Sequence, residues 1–266
     1  MLRAAHQLID APPPILDDPV IVRLLGPEAE ARIRAEVERA QSPAARGIRS
    51  HVVLRSRYAE DRLHAAIDRG VNQYVLLGAG FDTFAYRQPE WARALTIIEV
   101  DHPSSQADKR GLLQAAGIDI PSNVRYADVD FEHETLADGL RRAGVDFQRP
   151  TFFSWLGVTM YLTREAIDAV LATLAGFARG SEIVLTFAQP TDPDDHGGRF
   201  FAERAAAAGE PWLSYFEPAE LEAILRAHGF SDVRFLTRED AMLQYYANRG
   251  DDLSAPRRIS IVSATV

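Results

Sequence analysis

Short apolar runs alternate along this chain with longer amphipathic stretches, so the hydrophobic period switches repeatedly between that of a strand and that of a helix. Residues 74–77, Tyr-Val-Leu-Leu, are strand formers closed by Gly78-Ala79-Gly80 and then by Asp82 and Thr83. That order predicts a buried strand, a tight turn and a helix start. Residues 95–101 form a second run ending in Asp101. Residues 123–130, 151–158 and 181–187 give a third, fourth and fifth. Between them, 103–117 and 163–178 read as helices, the latter with Ile167, Val170, Leu171 and Leu174 on one side. A helix over 217–228, ended by Gly229, precedes two closing strands near 233–236 and 259–264. Strands alternating with helices predict an α/β domain with a mostly parallel, doubly wound sheet.

The flanks of this pattern read differently. Residues 1–26 carry Pro12-Pro13-Pro14 and little periodicity, which predicts an extended arm and a short element placed over the active site. Residues 27–41, with Ile33 and Val37 four apart, predict an amphipathic helix opening on a proline. Residues 43–68 predict a second helix, closed by Gly70. These segments make residues 1–69 an arm and helical cap on a catalytic core of 70–266. The loop-rich stretch at 189–216, with a glycine pair, His196, Arg199 and Phe200, reads as a lid inserted after the fifth strand. With no internal repeat and no linker, the whole is expected to be one structural unit.

The glycine turn carries the first candidate chemistry. Gly78 and Gly80 let the backbone turn sharply and let a ligand approach without meeting a Cβ atom. Thr83 stands where a dinucleotide fingerprint wants a third glycine, and no Gly-Lys-Ser/Thr ending marks a phosphate loop. A G-x-G-x-D turn suits a nucleoside without pyrophosphate, with Asp82 accepting from a cation or ribose, and S-adenosylmethionine is such a ligand. An acidic residue ending the second strand can hold both ribose hydroxyls. Asp101 fits that role, Glu99 shares its face, and Asp101 also suits the N-cap of the helix beginning at Pro103.

Composition removes several classes. A net charge of −9 across 266 residues argues against a nucleic-acid partner, because nonspecific affinity there comes from Lys and Arg neutralising phosphates. The absence of cysteine excludes disulfides and thiol catalysis and fits a cytoplasmic protein. Seven scattered histidines without ligand spacing predict no metal site. No apolar run approaches the roughly 20 residues needed to span a bilayer, and the N-terminus lacks an apolar signal core, so no membrane partner is expected.

The ordered strings LLGAGFDTFAYR, EVDHP with Lys109 beyond it, YADVDF and FFSWLGVTMYLT resemble the leucine carboxyl methyltransferase family. The resemblance runs from about Arg46 to the C-terminus and is strongest over 71–162. It implies a class I, Rossmann-like methyltransferase sheet of seven strands, mostly parallel with an antiparallel last strand. It also implies S-adenosyl-L-methionine as cofactor and O-methylation, with polyketide-tailoring enzymes in the bacterial branch. Within it, Gly78, Ala79, Gly80 and Asp82 form the cofactor turn, and Asp128 and Val129 lie against the adenine. An arginine on the helix over 43–68 contacts the cofactor carboxylate. Both Arg55 and Arg57 fit, while a solvated face pairing with Glu60 and Asp61 is the plainer reading. The chain departs from the family at Leu156, where the commoner pattern has a glutamate recognising the cofactor's amino group. The backbone carbonyls of Trp155 or Leu156 are the expected substitutes.

The resemblance puts Tyr161 beside the methyl-transfer pocket. The expected acceptor is a small-molecule carboxylate, already ionised at neutral pH and needing alignment rather than a strong base. A phenol or hydroxyl acceptor would profit from a base, for which His196 is the candidate. Leu156 motivates a rival, a noncatalytic nucleoside- or partner-binding protein on the same fold. A nicotinamide-dependent oxidoreductase is a weaker one, against which Thr83 speaks.

Overall fold

The computed structural model describes residues 1–130, 134–190, 205–207, 209 and 211–266. Its centre is a seven-stranded sheet in the order β3-β2-β1-β4-β5-β7-β6. The strands are β1 (Gln73–Leu77), β2 (Thr96–Asp101), β3 (Val124–Asp128), β4 (Thr151–Trp155), β5 (Glu182–Thr186), β6 (Ser231–Phe235) and β7 (Ile261–Thr265). All neighbours pair in parallel except β7, which runs antiparallel to both β5 and β6. β1, β4 and β5 are buried at every position, which is why they read as continuous apolar runs rather than alternating ones.

Helices cover both faces. On one, α4 (Pro43–Ile67) packs Val53, Leu54, Ala59 and Leu63 against Tyr74, Leu76, Ile97 and Phe152. On the other, α6 (Leu136–Arg142), α7 (Arg164–Ala175) and α8 (Pro218–Ala227) close over Val75, Phe153, Ile183 and Val262. The four apolar residues expected on one side of the 163–178 helix are buried on α7. α5 (Pro103–Ala115) follows β2.

Three local expectations are corrected. No helix follows the glycine turn: residues 84–86 and 90–92 make only single 3₁₀ turns before β2. Asp82 Oδ1 accepts from Phe84 N–H at 2.8 Å, but the N-cap is Thr83, which makes no capping bond, and Arg87 (φ -130, ψ 30) already leaves the helical region ahead of Pro89. The N-terminal arm is helical, with α1 at Leu2–Ile9 and α2 at Pro19–Ala35, the latter broken at Gly26 (φ 78) just before Pro27. α3 (Val37–Ala40) is a single turn before α4. Third, the N-cap of α5 is His102, whose Nδ1 accepts from Ser104 N–H; Asp101 is directed elsewhere.

The arm holds its place through a buried knot. His6 Nε2 accepts from Ile15 N–H at 3.0 Å, so Nδ1 carries the proton and donates to Asp10 at 2.8 Å. Asp10 also takes a two-pronged bond from buried Arg49 of α4, both contacts within 2.8 Å. Burial works to raise the Asp10 carboxyl, but His6 and Arg49 outweigh it and hold it below its ordinary range.

Candidate functional site

β1 lies between β2, which follows it, and β4, which returns on its other side, so the chain reverses direction across the sheet at the end of β1. Ligands of open α/β sheets bind beyond the carboxyl ends of the strands at such a point. A cavity of about 370 Å³ opens there, walled by α1, α2, α4, the loop 78–82 and residues 154–158.

The glycine loop gives the cavity its shape. Gly78 adopts φ 64, and a Cβ on it would come within 2.5 Å of Val158 Cγ2. Ala79 N–H bonds to Val100 O at 3.0 Å, and Gly80 N–H bonds to Asp101 Oδ2 at 2.5 Å. Asp101 therefore ties the end of β2 to the glycine turn, while its Oδ1 accepts from His102 N–H at 2.8 Å. Glu99, one pleat back, is 1% exposed and bonded to Lys109 and Tyr86 beneath the site. Burial pushes its carboxyl up against the pull of Lys109. Asp128 sits beside Asp101 in register and is exposed. Val129 is buried instead, its side chain filling the space that a Cβ on Gly139 would occupy. Its N–H bonds to Asp101 O at 3.0 Å.

The structure separates the two arginines of α4. Arg57 points away, to Asp61 at 2.8 Å and Ile15 O at 3.2 Å. Arg55 lines the cavity, and a Cβ on Gly157 would overlap its guanidinium. Arg55 Nε is buried without a hydrogen-bond partner among the described residues. Desolvation first, and then nearby Arg3, bring its pKa down to about 10, against the pull of Asp82 and Tyr161. A guanidinium so placed is short of an anion.

Arg3 is the site residue that the sequence conceals, because it lies on the segment read as an extended arm. Its guanidinium donates to Phe81 O and reaches Asp82 Oδ2 at 3.4 Å, pinning α1 over the glycine loop. Burial favours the neutral form of Asp82, but Arg3, Lys109, Arg87 and Phe84 N–H prevail and hold its carboxyl below the ordinary range. His51, one helical turn before Arg55, is held neutral by burial and by Arg55, its pKa brought down to about 3.

Leu156 lines the cavity together with Ser154, whereas the Trp155 side chain between them is 1% exposed and packed in the core. Tyr161 lies beyond on a 3₁₀ turn, 37% exposed. His196 and most of the stretch expected to form a lid lie outside the described residues.

The residues present fit the amino-acid end and ribose side of S-adenosylmethionine. They provide a buried cation with no ion pair among the described residues, a backbone approach guarded by glycine, and a carboxylate at the end of β2. Solved structures share the architecture. A methyltransferase structure from Thermobifida fusca superimposes with a TM-score of 0.60 at 20% identity, covering 94% of each chain. A DUF574 family protein from Streptomyces avermitilis gives 0.58 at 16% identity, over 99% of this chain and 95% of that one. In sequence, YktD of Bacillus subtilis, assigned as an S-adenosyl-L-methionine-dependent methyltransferase, is 36% identical over 217 residues, 80% of this chain and 71% of that protein. A protein of Mycobacterium marinum with the same assignment is 33% identical over 221 residues, 80% of this chain and 70% of its own length. The leucine carboxyl methyltransferase family model matches residues 1–175. With that match and these relatives, the chain belongs to the leucine carboxyl methyltransferase family, as a methyltransferase dependent on S-adenosylmethionine.

Proposed function

We propose that the chain is an O-methyltransferase and that its acceptor is the carboxylate of a small molecule. The observation that carries the cofactor half of this reading is Arg55, a buried guanidinium facing the cavity with no carboxylate in ion-pair range among the described residues. In this reading its planar fork takes the cofactor carboxylate. Gly78, Ala79 and Gly80 give the ligand its backbone approach, Asp101 holds the ribose hydroxyls, and Asp128 receives the adenine amine. Bound S-adenosylmethionine supplies an electrophilic methyl group on a sulfonium sulfur.

The acceptor half rests on what the cavity offers. The titratable side chains lining it are Arg3, Arg55 and Asp82, and Asp82 is ionised and already bonded. None of these forms a base paired to a nucleophile. A carboxylate arrives ionised, so alignment and exclusion of water supply the acceleration without proton removal. Tyr161 is assigned to the acceptor side. His196 is retained as the base that a phenol or hydroxyl acceptor would require.

Calorimetric titration with S-adenosylmethionine and S-adenosylhomocysteine tests the first half, with micromolar binding of both expected. Transfer of labelled methyl to a panel of carboxylic acids and phenols tests the second, base-labile esters being the expected products. Labelled ethers instead would move the acceptor to a hydroxyl and bring His196 forward. Leu156 favours a second reading, cofactor binding without turnover. Tight binding with no product from either set would select it.

A further inference from the structure

The polar groups of the cavity divide by origin. The guanidiniums come from the helices, Arg3 from α1 and Arg55 from α4, whereas the sheet contributes Ser154 near the end of β4. Ser154 is 4% exposed, and its Oγ shares one hydrogen bond with Tyr74 Oη at 2.9 Å. A serine hydroxyl has one proton and two lone pairs. Whichever of the two oxygens donates, Ser154 keeps a lone pair for a third group.

The phenol below it cannot compete for charge. Burial first, and then the Asp82 carboxylate, hold the Tyr74 hydroxyl well above its ordinary pKa, so it stays neutral and serves as a hydrogen-bonding brace. Asp82, whose carboxylate reaches Arg3 at 3.4 Å, lines the same cavity as Ser154. A neutral acceptor backed by negative charge is the complement of a cation.

The amino-acid moiety of S-adenosylmethionine carries a carboxylate and an ammonium on one carbon. A cavity furnished only with Arg3 and Arg55 would attract the first and repel the second. The Leu156 side chain offers only methyl groups to the cavity. Side chains two apart along an extended chain share a face, so the neighbouring side chain on that face is Ser154.

We propose that Ser154, braced by Tyr74, accepts a hydrogen bond from the cofactor's ammonium group, with Asp82 supplying the balancing charge. This rests on the reading of the cavity as the S-adenosylmethionine site. Ser154 here is a binding residue that determines which amino-acid end the cavity accepts, and no covalent step involves it.

The test compares two probes on three proteins by calorimetry. S-adenosylhomocysteine has the ammonium, and 5′-S-(3-carboxypropyl)-5′-thioadenosine keeps the carboxylate and lacks it. Ser154→Ala is expected to weaken S-adenosylhomocysteine by about tenfold, as for loss of one hydrogen bond to a charged group, and to change the carboxypropyl analogue less than about twofold. Tyr74→Phe, which keeps the serine and removes its brace, is expected to show the same selectivity at about threefold, and carries the test if Ser154→Ala fails to fold. Equal losses for both probes, or no loss for either, would overturn the assignment. If the unaltered protein binds neither probe, the cofactor reading itself has failed, an outcome distinct from the other two.

Discussion

At the scale of single residues the site is a contest over one guanidinium. Arg55 is kept charged at neutral pH even though burial and Arg3 bring its pKa to about 10. Arg55→Ala should therefore weaken S-adenosylhomocysteine by roughly thirtyfold, about 2 kcal/mol for charge-assisted bonds lost. Arg57→Ala should change it less than about twofold, since that side chain is spent on Asp61 and Ile15 O. Two similar losses in calorimetry would contradict the separation of the two side chains. Gly157 offers a subtler test. Its φ of 78 disfavours any Cβ, and the added carbon would overlap the end of the flexible Arg55 side chain rather than backbone. Gly157→Ala is expected to fold with a loss of about 1–2 kcal/mol from the backbone and to displace the guanidinium, approaching Arg55→Ala in affinity. Full affinity in a folded Gly157→Ala protein would show that Arg55 does not need its observed position. Sequence reasoning narrowed the arginine to two but could not choose between them. Positions two apart on a helix face different directions, and which one meets the sheet depends on the roll of α4.

At the scale of elements, what could be read followed the length and purity of the hydrophobic pattern. The central strands and the helix carrying Ile167 to Leu174 were legible because burial on both faces, or along one stripe, writes itself into residue type, while β3 and the exposed β6 were read from strand formers between turn signals. Two elements were not. The turn at 84–86 looked like a helix start because Asp82 and Thr83 are capping residue types, yet Thr83 makes no capping bond and the backbone leaves the helix at Arg87, ahead of Pro89. α1 looked extended because three prolines follow it, and what holds it is the long-range knot of His6, Asp10 and Arg49, invisible in local periodicity. That knot has a pH signature. The folded-state pKa of Asp10 is depressed, so its contribution is present above the unfolded carboxylate value, near 3.9, and is lost as pH falls through the lower folded value. Asp10→Asn should cost about 3 kcal/mol at pH 7, because it leaves Arg49 buried beside a neutral partner. Urea melts should show the gap between the two proteins narrowing below about pH 4. A gap of constant size at pH 7 and pH 3 would mean that Asp10 acts by shape and not by charge.

For the molecule as a whole, the candidate site and the core share one long helix. α4 presents Arg55 to the cavity, packs Leu54 and Leu63 on the sheet, and further along joins Arg62 to the fully buried Glu182 of β5. A ligand that engages Arg55 from the loop at 78–82 therefore bridges the element on one face of the sheet to the strands beneath it. The strands could be foreseen as separate segments of sequence, but this bridging could not, since it depends on where α4 crosses β4 and β5. A molecule so connected should unfold as one unit and should be stabilised throughout by occupancy of the cavity. By mass action, S-adenosylhomocysteine at a hundred times its dissociation constant adds about 2.7 kcal/mol, which for a chain of this size is roughly 5–10 °C in Tm. Arg55→Ala should lose most of that shift at the same ligand concentration while its Tm without ligand changes little, because the guanidinium it removes has no bond to give up among the described residues. NAD should give no shift, the glycine loop having Thr83 where a dinucleotide turn needs glycine. Calorimetric scans decide the matter. A second transition that ignores S-adenosylhomocysteine would show that the helical cap and the sheet unfold apart, and an equal shift with NAD would return the oxidoreductase reading that Thr83 set aside.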